Sequence, residues 1–82
     1  MVYNVYSVQD VKTTFFSPSL DLNDEAAKRN FELMLVEAKG VMKLNPVDFR
    51  LYRVGEFDVM TGELSRSIVP EFIAGGEEFV SM

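Results

Sequence analysis

One segment of this chain, LNDEAAKRNFELMLVEAKG at residues 22–40, has a helical period, and the other patterned runs read as strands. Ala27, Phe31, Met34, Leu35 and Ala38 recur at three- and four-residue spacing and form one apolar stripe. Asn23 is a good N-cap, and Asp24 and Glu25 place negative charge at the positive end of the helix dipole. Gly40 stands where a glycine would close the helix. Leu33 and Val36 fall off the stripe and leave room for a second apolar contact. One helix shields one face of a sheet. The other face must then be polar, covered by a partner, or used for binding.

The strands follow from β-branched and aromatic runs. VYNVYSV (2–8) and VKTTFF (11–16) predict a tight hairpin about Gln9-Asp10, stopped at Ser17-Pro18. After a loop, VMKLNPVD, FRLYRVGEFD (49–58) predicts a third strand. By period two, Phe49, Leu51, Arg53, Gly55, Phe57 and Val59 share a face that should meet the helix, with Arg53 the anomaly. Arg50, Tyr52, Val54, Glu56 and Asp58 take the opposite face, with Tyr3 or Tyr6. Thr61-Gly62 supplies a hairpin turn, ELSRSIV returns as a fourth strand, and Pro70 ends it. EFIAGGEEFVSM predicts a further short strand or a turn at Gly75-Gly76. The fold class is α+β: a four-stranded antiparallel sheet with one helix packed on one face, in the order β-β-α-β-β, as a single domain over 1–82.

Composition narrows the chemistry. With no cysteine and no histidine there is no thiol nucleophile, no thiolate metal site, no Ser-His-Asp arrangement and no imidazole ligand. The acid pairs Asp24/Glu25 and Glu77/Glu78 are sequence neighbours that point apart, so neither is a catalytic or metal pair by spacing. The expectation is a non-enzymatic protein without cofactor or metal. The N-terminus lacks a basic n-region and no run reaches membrane-span length, so neither a signal peptide nor a membrane segment is expected. A net charge of −5 argues against a dedicated nonspecific duplex binder. From Ser67 onward there are three glutamates and no base, which reads as a solvated tail or, more sharply, as a mimic of nucleic acid for a basic partner. Seven phenylalanines and three tyrosines are many for one small core, and a self-association face would take the surplus.

Aromatics and arginines on an open sheet are the means by which many proteins hold single strands: bases stack and cations take the phosphates. Lys12, Arg50, Tyr52 and Arg53 are the candidate nucleic-acid residues. The competing readings are burial of the same face in a homodimer and ordinary cross-strand pairing. RVGEFDV is only superficially like an RNA-recognition signature, since the spacing is wrong and Glu56 and Asp58 oppose RNA. AGGEEF lacks the Lys-Ser/Thr of a phosphate loop.

Tyr6-Ser7-Val8, Asp10, Lys12 and Pro18 are followed by Asn23, Asp24, Ala27, Arg29 and Phe31 at the helix start. Then come Leu51-Tyr52, Gly55-Glu56-Phe57-Asp58, Thr61-Gly62 and Pro70. In this order and over nearly the whole chain, the sequence resembles the small non-structural protein of gokushovirus-type microviruses, which are circular single-stranded DNA phages. The resemblance implies a phage accessory protein in the cytoplasm of the infected bacterium, absent from the virion. It further implies a role in diverting replication from duplex synthesis to single-stranded genome synthesis and packaging. Residues and resemblance together give the expected partners: single-stranded DNA, the phage replication protein, and a second copy of the chain in a homodimer. The alternative is an interaction regulator that contacts the replication initiator or a host protein without binding DNA. No catalytic residue is implied.

Overall fold

In the computed structural model, which describes residues 1–79, four strands form one antiparallel sheet in the order β2-β1-β3-β4. The strands are β1 (Val2–Asp10), β2 (Ser19–Asp21), β3 (Phe49–Asp58) and β4 (Leu64–Gly75). Helix α1 (Asp24–Val36) connects β2 to β3 across one face, followed by a short α2 (Val41–Leu44) and a 3-10 turn at Pro46–Asp48. This is the α+β, four-stranded, one-helix arrangement expected from the sequence.

The helix packs its Ala27 and Phe31 against Tyr6, Val8, Phe49, Leu51 and Ala74. Leu35 of the stripe is partly buried, whereas Met34 is 39% exposed and lies at its margin. Asn23 caps the N-terminus as its type requires, its side chain accepting from the Ala26 N–H at 2.9 Å. The helix ends at Val36, four residues before Gly40, which instead begins α2. The Glu37 carboxylate sits at the negative end of the dipole with no base in the last turn, and the next core contact comes from Met42 of α2.

The first hairpin differs from the sequence expectation. Asp10 captures the Lys12 N–H with its side chain and the Thr13 N–H with its carbonyl, so the chain turns at 10–14. Phe15 then makes a single bridge to Gln9, and β2 forms only beyond Pro18, pairing Ser19–Asp21 with Asn4–Tyr6. Proline has no N–H to donate, which is why the returning segment pairs in two pieces.

Three bulges reset the other half of the sheet, one of them at Ile73, between the Leu51–Ala74 and Tyr52–Phe72 pairs. Tyr6 pairs with Arg53 but Val5 pairs with Gly55, so Val54 is an extra residue and the alternation of β3 inverts there. Gly55 and Phe57, expected beneath the helix, therefore lie on the opposite face with Tyr3 and Val5. Glu56 moves off that face to stand opposite Asn4. On β4, Arg66 pairs with Gly55 and Glu71 with Arg53, leaving residues 67–70 without partners on β3. Pro70 lies in this outward bulge of an edge strand, where no ladder donor is needed, so β4 continues past it. Gly62, at φ 78°, takes the left-handed turn between β3 and β4.

The acidic C-terminal segment is not a solvated tail over its described part. Glu71 belongs to β4, and the Gly75 N–H donates to the Glu78 side chain at 2.8 Å. The 3-10 turn at Gly76–Phe79 brings Phe79 edge-on to Phe31, with ring centroids 5.8 Å apart. Residues 80–82 of that segment lie outside the described residues.

Candidate nucleic-acid interface

The helix leaves one sheet face uncovered, and alternation assigns its side chains. Tyr6 and Val8 point into the core, so Tyr3, Val5 and Ser7 point away from it. Opposite them stand Phe57, Gly55 and Tyr52. No carboxylate occupies a face position of β1 or β3 on this side, because the bulge at Val54 has removed Glu56.

An aromatic row crosses this face. Ser7 pairs with Tyr52 and Tyr52 with Phe72, which puts both rings on the uncovered side. Phe15, delivered by the turn that Asp10 holds, reaches over β1 to Tyr52. The Phe15–Tyr52 centroids are 5.6 Å apart and the Tyr52–Phe72 centroids 5.8 Å, both edge-on. Phe15 is 39% and Phe72 51% exposed, so solvent reaches the row at both ends. The Ser7 hydroxyl is buried beneath it and donates to the Phe16 carbonyl at 2.7 Å. Beside the row, Ser7, Phe15, Phe16, Pro18, Val54 and Pro70 line a shallow apolar depression of about 290 Å³.

Of the four candidates, the structure places three at this end. Tyr52 is the centre of the row. Arg50 is exposed on the same face and paired with Gln9, at the end of the sheet where Lys12 occupies the exposed turn after β1. Arg53 is not with them. It lies on the helix side, cross-strand from Glu71, to which its guanidinium is ion-paired, and 3.9 Å from Asp24 at the start of α1. Asp24 also accepts from the Tyr6 hydroxyl at 2.6 Å, and Tyr6 in turn accepts from the Asn4 amide at 2.9 Å. Burial, reinforced by the hydrogen bond to Asp24, pushes the Tyr6 phenol up to about 12. The inward arginine is therefore the counter-charge of a structural network. Among the described residues no ion pair involves Lys12 or Arg50.

Phe15 and Phe72 are the site residues that sequence reasoning missed. Their only advance signal was the excess of aromatics over what one core can hold. A second pocket, polar and about 250 Å³, is lined by Arg53, Gly55, Glu56, Ser65, Arg66 and Ser67. Its Arg53 is already paired and its Glu56 opposes an anion, so it is the weaker candidate. Among the described residues no cluster of acidic side chains is disposed to hold a metal ion, and no helix is long and apolar enough to cross a membrane.

No match was found among curated proteins or among solved structures. The profile of the family described as Phage ORF5 protein matches residues 3–79, which take in the whole described fold but for the first residue of β1 and Met1. The chain belongs to this family.

Proposed function

We propose that this phage protein is a non-enzymatic accessory of the microvirus type that binds single-stranded DNA during viral genome synthesis and packaging. It acts in the cytoplasm of the infected host and is absent from the virion. Bases stack on Phe15, Tyr52 and Phe72, while Lys12 and Arg50 take flanking phosphates. The observation that carries this reading is the aromatic row on a helix-free face whose β1 and β3 positions hold no carboxylate, beside two cations that make no ion pair among the described residues. Stacking of this kind tolerates any base, as a genome-length strand requires. The net charge of −5 disfavours duplex DNA, which is held mainly through its phosphates.

Salt titration of binding to a labelled oligonucleotide tests the proposal. Two phosphate contacts on a single strand give a log–log slope of about −1.4, shallow beside that of proteins held by many phosphates. Alanine at both Lys12 and Arg50 should flatten it. Absence of binding even at low salt would sink the proposal. It would favour the second reading, a homodimeric regulator that contacts the replication initiator or a host protein without binding DNA.

A further inference from the structure

The uncovered face has a second half. Away from the aromatic row, towards the β3–β4 turn, Val5, Pro18, Ser19, Leu20, Phe57 and Leu64 line an apolar depression of about 280 Å³. Leu20 and Leu64 stand at its rim, 44% and 68% exposed, and Val5 on its floor is buried. The apolar surface continues to the end of the molecule. Val59 and Met60 of the turn are 42% and 80% exposed, and the Val59 N–H donates to the Met1 carbonyl, which brings the 67%-exposed Met1 alongside.

We infer that this end of the sheet is the contact for a second copy of the chain. Three observations identify the occupant. The chain exposes 5731 Å², whereas a monomer of its 9.3 kDa mass exposes about 5,000 Å². The excess of roughly 700 Å², counted over the whole elongated chain, is of the order of the roughly 800 Å² that each partner buries in a stable dimer. The shape, 43 × 22 × 18 Å, is long enough for one end to be occupied while the other remains open. Finally, the patch carries both halves of a self-complementary contact: projecting leucines beside an apolar hollow. About a two-fold axis, the leucines of each copy fill the hollow of the other. Two chains of net charge −5 repel each other, and a hollow whose floor and rim carry no charge adds no like-charge contact to that repulsion.

The contact does not depend on DNA binding: it is centred on Phe57 and Leu64, and Pro18 divides its hollow from the depression beside Phe15. Sedimentation equilibrium tests it. The parent is expected at twice the 9.3 kDa chain mass in the micromolar range. Leu64→Asp, at an exposed position, is expected at the chain mass with its circular dichroism unchanged. Should Leu64→Asp fail to fold, Met60→Asp at the exposed turn takes its place. Phe72→Asp should remain dimeric. Added salt should tighten the dimer or leave it unchanged by screening like charge, opposite in sign to its effect on oligonucleotide binding. A parent at the chain mass, a folded Leu64→Asp that still dimerises, or a Phe72→Asp that dissociates would each overturn the inference. A monomeric parent that loses oligonucleotide affinity on Leu64→Asp would assign the patch to nucleic acid instead.

Discussion

Arg53→Gln separates the framework of this protein from its interface. The guanidinium is ion-paired to Glu71 across the strands and to Asp24 at the start of α1, with side chains 32%, 52% and 42% exposed respectively. At such exposure solvent screens each pair, and each contributes about 0.2–1 kcal/mol. Loss of both, with the packing of the arginine stem over the sheet, should cost about 1–2 kcal/mol. For a domain of this size each kcal/mol lowers Tm by roughly 4–8 °C, so the shift is readily measured by thermal melting. A double-mutant cycle with Glu71→Gln should return a coupling of about 0.5–1 kcal/mol. Oligonucleotide affinity, measured in parallel on the folded variant, should stay within about twofold of the parent, since Arg53 lies across the sheet from Tyr52. An unchanged Tm with affinity reduced several-fold would refute the placement of Arg53 in the framework.

Two further outcomes follow from the core. The Tyr6 phenol is raised from 10.0 to about 12, so the neutral form is favoured in the folded state. Its contribution is complete below pH 10 and is lost as pH rises through 12, removing up to about 3 kcal/mol. Denaturant titrations of the parent and of Tyr6→Phe across that window should diverge, with the pH-dependent step missing from the variant; parallel curves would contradict it. At Gly76, a Cβ would overlap the Pro46 carbonyl oxygen. Gly76→Ala must then displace the turn that carries Phe79 onto Phe31, at a cost of about 1–3 kcal/mol by thermal melting, and a Tm equal to the parent's would contradict that contact.

The parts of this structure legible in the sequence are those set by local chemistry. The Asn23 cap, the strand from Phe49 to Asp58, the Thr61-Gly62 turn and the single helix all follow from residues within a few positions of one another. What was not legible depends on distant partners. Val54 becomes a bulge only because β1 offers one residue where β3 supplies two, and that alone sends Phe57 to the open face and Glu56 away from it. Arg53 read as an anomaly because its partners, Glu71 and Asp24, are remote in sequence. Period two placed Tyr52 on the open face, but Phe15 reaches it through a turn and Phe72 through a cross-strand pair. Pro70 is a strand terminator in a central strand and is harmless in an edge bulge, and sequence alone does not say which strand lies at the edge.

On the function proposed above, a single strand stacks on the row centred on Tyr52. Fluorescence anisotropy of a labelled oligonucleotide at low salt, with the parent and Tyr52→Ala, tests it most directly. Tyr52 is half-buried between two rings, and its removal should cost about 1–3 kcal/mol, or roughly 5- to 150-fold in affinity, with the fold retained. A folded Tyr52→Ala protein that binds as tightly as the parent would contradict the claim.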